Sequence, residues 1–265
     1  MATTEYSDIA YAAQALAGCQ RLLVLTGAGM SADSGVPTFR GKDGLWTQID
    51  AEKLASVDGF RADPEGVWEW YRQRRFEVAS CRPHAGQRAL AMLQHYLPQS
   101  LSVLVATTNE DDLLERAGVS DVLHVHGRLF DTVCSQHCGW SVSDDQDNSW
   151  SLCPCPNCGA LVRPGSTWFG EHLNEQVLHS LERFDPDGCV VVGSSSLVQP
   201  IAAIPPELAL SGRPVVEINI ERTPLSAAAT YYLGGSASSV LPLLIDQITS
   251  AVVRSQHVEE RVVEG

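Results

Sequence analysis

Three stretches of the chain, RLLVLTG (21–27), GCVVVGS (188–194) and RPVVEINIE (213–221), are rich in Val, Ile and Leu on consecutive positions. A strand sends successive side chains to opposite faces, so an apolar run without alternation has to be covered on both sides. LSVLVATT (101–108) repeats the pattern, and VLHVHG (122–127) does so more weakly. Between them, residues 64–79 (PEGVWEWYRQRRFEVA) and 84–97 (HAGQRALAMLQHYL) carry helical spacing, the first opening at Pro64, where a helix tolerates proline. Buried strands alternating with helices predict an α/β fold: a Rossmann-like, doubly wound parallel sheet.

From about 128 to 168 that pattern stops, and five of the eight cysteines fall within 25 residues. They read Cys134-SQH-Cys138 and then 153-CPCPNCG-159. CPNCG is a knuckle pattern, two thiolates two residues apart followed by a glycine that lets amides face the sulfurs. The expected ligands of a structural zinc ion are Cys134, Cys138, Cys155 and Cys158, which leave no open coordination position for chemistry. On spacing alone Cys153 could replace Cys155, and His137 could replace Cys138. The predicted organisation is therefore a discontinuous Rossmann-like domain (1–127 and 169–254), a small zinc-binding module (128–168) and a charged, flexible tail (255–265). Cys19, Cys81 and Cys189 read as small hydrophobes.

Eighteen Lys and Arg against 32 Asp and Glu give a net charge of −14. Such a surface repels phosphate backbones and anionic lipid, so neither nucleic acid nor membrane is an expected partner. The first twenty residues suggest an amphipathic helix without a basic leader, and no apolar run reaches the roughly 18 residues of a membrane span. The expected location is cytoplasmic, where eight cysteines point to metal or catalysis rather than disulfides.

The first strand runs into 26-TGAGMSADSGVPTFRG-41. A Gly-Ala-Gly turn lets backbone amides approach a pyrophosphate, and Ser31 can cap the helix behind it. The spacing is not a full GxGxxG, because the next glycine is Gly35. The longer string GAGMSADSGVPTFRG closely resembles the GAGxSxxSGIPxFRG signature of the sirtuins, NAD-dependent protein deacylases. HVHG (124–127), RPGSTWFGE (163–171), VVGSSSLVQP (191–200) and EINIERTP (217–224) follow in the family's order. The resemblance spans roughly residues 15 to 245.

It implies a Rossmann-like domain and a zinc domain, with NAD as co-substrate and an acylated-lysine protein or peptide meeting in the cleft between them. The acyl oxygen attacks C1′ of the nicotinamide ribose, nicotinamide leaves, and a histidine acts as general base, giving free lysine and O-acyl-ADP-ribose. His126 matches that histidine, while His124 reads as structural. Gly27, Ala28, Gly29 and Ser31 match the phosphate loop, and Phe39 and Arg40 the FRG end of the cofactor loop. Gly193, Ser194 and Ser195 match a triplet lining the NAD ribose, Asn219 and Glu221 the adenosine-ribose strand end, and Ala237 the adenine position. Phe169, Gly170 and Glu171 match the edge that pairs with the substrate peptide.

In 106-ATTNEDDLLERAG-118 the resemblance is partial. Asn109, which in the family orders a water at the ribose, and Asp111, which takes the nicotinamide amide, are present. Thr108 replaces a glutamine at the ribose, Glu110 an apolar residue and Leu114 a histidine. Glu110 is expected either to be an unpaired buried carboxylate beside Asp111 or to turn to solvent. These departures leave open a weakly active or inactive NAD- and acyl-lysine-binding module, or an ADP-ribosyltransferase. Tyr71 and Arg74, three residues apart, share a helix face and could hold a carboxylate. The same spacing occurs in sirtuins that remove succinyl and malonyl groups, so these acyl groups, with acetyl, are the expected substrates. A solvated basic patch with Arg72 and Arg75 is the plainer alternative.

Overall fold

The computed structural model describes residues 6–38, 51–96, 101–143 and 151–263. In chain order its strands are β1 (Arg21–Thr26), β2 (Ser102–Thr107), β3 (Leu123–His124), β4 (Gly127–Cys134), β5 (Ser141–Ser143), β6 (Val162–Ser166), β7 (Gly188–Val192), β8 (Val215–Asn219) and β9 (Tyr231–Gly234). Six of them form one parallel sheet in the order β3-β2-β1-β7-β8-β9. The chain winds outward from β1 to β3, returns, and winds out the other way. The place where it reverses, between β1 and β7, opens a crevice at the carboxyl ends of the strands, where such sheets bind ligands.

Both faces of the sheet are covered, as the uninterrupted runs require. Leu22, Val24, Val190, Val192, Val216 and Ile218 enter one core, whereas Leu23, Leu25, Cys189, Val191 and Val215 enter the other. The first core is closed by helices Tyr6–Ala17, Ala85–Tyr96 and Ala237–Val263. Helices Glu175–Phe184 and Ile204–Leu210 close the second. The last helix runs to Val263, so the segment expected to fray from about 254 continues as helix. The sequence has neither Gly nor Pro between Pro242 and Gly265 to break its hydrogen-bond ladder.

Strands β4, β5 and β6 form a separate antiparallel sheet in the order β5-β4-β6. Its core is completed by a helix from outside the sheet. Helix Pro64–Ser80, started by Pro64 and by the Asp63 carboxylate accepting from Gly66 N–H at 2.9 Å, packs here rather than on the large sheet. Val67, Trp68, Tyr71 and Val78 share a core with Leu129, Phe130, Val162 and Trp168. Arg75, 1 % exposed, completes the join: its guanidinium donates to the Leu129 and Asp131 carbonyls, each at 2.7 Å. Arg75 is thus no part of a solvated patch, whereas Arg72 is exposed beside Glu69.

Candidate active site

A cleft of about 1010 Å³ lies over the crevice between β1 and β7 and reaches the small module. Its floor is made by two loops in contact. A Cβ on Gly29 would stand 2.7 Å from the Gly193 Cα, and one on Gly193, whose φ is +60°, would stand 2.5 Å from the Met30 nitrogen. Only glycine permits this approach, and Gly29 N–H donates to the Gly193 carbonyl at 2.8 Å. The spacing that falls short of GxGxxG therefore has its missing glycine in a second loop, after β7.

Gly27, Ala28, Gly29, Gly193, Ser194 and Ser195 line the cleft, as do Asn219, Glu221 and Ala237 at the far end. The Asn219 side chain donates to the Ser194 carbonyl at 2.8 Å, tying the loop after β7 to the end of β8. Ser31 is buried beneath the floor and accepts from Asn109 Nδ2 at 3.0 Å. Phe39 and Arg40 lie outside the described residues. Asp33, Trp70, Trp168 and Arg222 also line the cleft, although the sequence reading assigned them no role. Asp33 accepts from Ser238 N–H at 3.2 Å. No local motif announces that contact across the chain.

His126 lines the same cleft. Its Nδ1 is 3.1 Å from the Thr108 carbonyl, which can only accept, so the proton sits on Nδ1 and Nε2 keeps its lone pair. Burial lowers its pKa from the ordinary value of 6.5, and the Thr108 contact opposes the shift. His124 is buried, with Nε2 2.7 Å from Glu115 Oε1 and Nδ1 3.0 Å from the Asn109 carbonyl, so both its nitrogens are engaged in holding the loop. Asn109 donates to the Gly27 carbonyl at 3.0 Å as well as to Ser31. Asp111 is buried below the turn, its Oδ1 accepting from Leu113 N–H at 3.2 Å, and burial raises its pKa. Thr108 lines the cleft and Leu114 is buried in the large core.

Glu110 follows neither course expected of it. It is largely but not fully buried, and paired: Arg74 Nη2 donates to its Oε2 at 3.4 Å, with 10 % of the arginine and 13 % of the glutamate side chain exposed. Burial raises the Glu110 pKa and the Arg74 charge counters it. The Arg74 guanidinium lies 5.0 Å from the centre of the Trp70 ring. Tyr71, three residues back, is buried and its hydroxyl accepts from Trp168 Nε1 at 2.9 Å. Tyr71 and Glu110 line the cleft, whereas Arg74 does not, among the described residues. Phe169 and Gly170 form the cleft's rim, and Phe169 N–H donates to the Ala55 carbonyl at 2.9 Å. Glu171 also lines it, but its carboxylate is clamped by Arg163 at 2.8 and 3.0 Å and by Trp168 N–H.

The four expected thiolates converge, with all Sγ atoms of Cys134, Cys138, Cys155 and Cys158 within 4.8 Å of one another. Cys134–Cys158 and Cys138–Cys155 are 3.4 and 3.7 Å apart. Tetrahedral zinc at about 2.3 Å from each sulfur places sulfurs roughly 3.8 Å apart, so the donor set fits. Gln136 N–H faces the Cys134 sulfur at 3.4 Å, as a thiolate needs. Neither open alternative is part of the cluster: the Cys153 carbonyl is tied to Val162, and His137 is turned out, its Nε2 3.8 Å from Glu171. A strong chelator is expected to remove one zinc per chain and to make residues 135–161 susceptible to protease. Protease resistance of the metal-free protein would show that the cysteines do not hold this module together.

Residues 27–200 match the Sir2 family. The "NAD-dependent protein deacylase Sir2" of Mycolicibacterium smegmatis is 40 % identical over 244 residues, covering 89 % of this chain and 99 % of that protein. The NAD-dependent protein deacylase of Mycobacterium tuberculosis (strain H37Rv) is 43 % identical over 237 residues, with 86 % and 98 % covered. A crystal structure of a Sir2 homologue with NAD superposes with a TM-score of 0.81 at 39 % identity over 91 % of this chain and 93 % of that one. A Sir2 protein bound to a myristoylated histone peptide does so with 0.73 at 26 % identity, over 95 % and 100 %. The chain belongs to the Sir2 family.

Proposed function

We propose that this protein is an NAD-dependent protein-lysine deacylase that transfers the acyl group of an acylated-lysine protein or peptide to ADP-ribose and releases nicotinamide. The observation that carries the reading is His126, a histidine with its Nε2 lone pair free, in one cleft with two glycine loops at the reversal of the sheet. NAD would supply the ribose carbon that accepts the acyl oxygen and the nicotinamide that leaves, and a water molecule would replace the lysine nitrogen on the acyl carbon.

The residues divide this work. Gly27 and Gly29, whose own amides are taken by Val192 and Gly193, would with Ala28 let the pyrophosphate approach the backbone closely, and Gly193, Ser194 and Ser195 would line the ribose. Asn219 and Glu221 take the adenosine ribose, whose two hydroxyls a carboxylate can accept, and Ala237 backs the adenine. Asn109 braces the glycine loop through Gly27 and Ser31, and Asp111 is the acceptor for the nicotinamide amide. His126 Nε2 removes a proton from a ribose hydroxyl. Phe169 and Gly170 receive the peptide, and Tyr71 borders the acyl group. Among the described residues no helix is long and apolar enough to cross a membrane. A four-thiolate zinc site suits a reducing compartment, and we place the protein in the cytoplasm.

The direct test is nicotinamide release from NAD by the zinc-loaded protein. Release in proportion to acylated peptide supports the reading; transfer of label from NAD to protein without deacylation would replace it. Because burial lowers the His126 pKa and the base must be neutral, the acid limb of kcat/KM is expected below pH 6.5. A profile over about pH 5 to 8 measures it. A limb centred above 6.5 would assign it to another group.

A further inference from the structure

Four aromatic residues, Trp70, Tyr71, Trp168 and Phe169, line the cleft that holds His126, and Glu110 lines it with them. The Glu110 carboxylate is already the partner of Arg74. The guanidinium in turn packs on Trp70, and the Glu110 carbonyl is fixed by Leu129 N–H at 2.8 Å. The pair joins the catalytic turn to helix Pro64–Ser80, so neither member drifts freely away.

We infer that Glu110 sets the acyl preference of this enzyme: it is a built-in carboxylate occupying Arg74, so the pocket takes uncharged acyl groups and disfavours dicarboxylic ones such as succinyl. The inference rests on the deacylase reading and reverses the expectation drawn from Tyr71 and Arg74 alone. The physical argument is one of charge count. Arg74 and Glu110 sum to zero, and a succinyl-lysine would add a second carboxylate in the same cleft. Like charges placed together in a water-poor site oppose binding strongly. An acetyl or butyryl group meets instead a neutral pair and aromatic surface. Tyr71 is part of that surface, its hydroxyl held by Trp168 Nε1.

The test is the ratio of kcat/KM for succinyl-lysine to that for acetyl-lysine on one peptide sequence, in the full-length zinc-loaded protein. In the wild type the ratio is expected to be below one. In Glu110→Val, and more weakly in Glu110→Gln, it is expected to rise about tenfold or more, because Arg74 is then left to the substrate. Adding Arg74→Met to Glu110→Val should remove the gain. A binding readout guards against loss of turnover: the succinyl peptide should raise the melting temperature of Glu110→Val more than the acetyl peptide does. A wild type that prefers succinyl, or a ratio unmoved by both Glu110 variants in folded protein, overturns the inference while leaving the deacylase reading intact. Failure of the wild type to release nicotinamide with any acyl peptide would sink that reading, and the pocket assignment with it.

Discussion

Alanine at His126 is expected to lower NAD-dependent deacylation by about 10³-fold, within the range for loss of a positioned general base, while the protein stays folded. The two effects separate because the side chain has little structural duty. It is half-buried, and its one side-chain hydrogen bond given by the structure runs from Nδ1 to the Thr108 carbonyl. Losing such a bond costs about 1 kcal/mol. His124, two residues earlier, provides the control. Both its nitrogens are engaged, with Asn109 and with Glu115, in a buried setting. His124→Ala should therefore act first on the melting temperature, and on turnover only through the displaced turn. Measuring product formation and thermal melts for both variants decides the matter. Substantial turnover in folded His126→Ala would refute the base assignment, and a melt lowered equally by both substitutions would make His126 a packing residue.

What could be read from the sequence was what local physics determines. Consecutive apolar residues in RLLVLT and GCVVV imply two cores, and Leu22 and Leu23 duly enter different ones. The cysteine spacing foretold the cluster, because two ligand pairs need only short-range geometry. Helical spacing in residues 64–79 marked a helix but not which sheet it serves, since Val67, Trp68 and Tyr71 look the same facing either core. The floor of the cleft was half-legible: Gly29 announced a close approach, but its partner Gly193 lies in another loop. Glu110 was misjudged for the same reason. Beside Asp111 in the sequence it looked like an unmatched charge, and its counter-charge, Arg74, stands 36 positions away on another element.

That pairing has a large energetic consequence of its own. Arg74→Met is expected to destabilise the fold by about 3–5 kcal/mol, the cost typical of removing one partner of a buried ion pair. Most of this is the penalty of leaving Glu110 charged and desolvated, so it should vary with pH in a definite direction. The folded-state pKa of Glu110 is already raised by burial above the ordinary 4.5, and losing Arg74 raises it further. Between 4.5 and that raised value the folded protein holds more protons than the unfolded one, so stability falls as pH rises and the deficit shrinks on acidification. The double variant Arg74→Met, Glu110→Leu removes both charges and should recover most of the loss, because apolar replacements of a buried pair are often neutral or better. Denaturant melts of the wild type, both single variants and the double variant form a complete cycle. A double variant that loses as much as the two singles combined would mean that the charges act separately, and that Glu110 is held in the pocket by something other than Arg74.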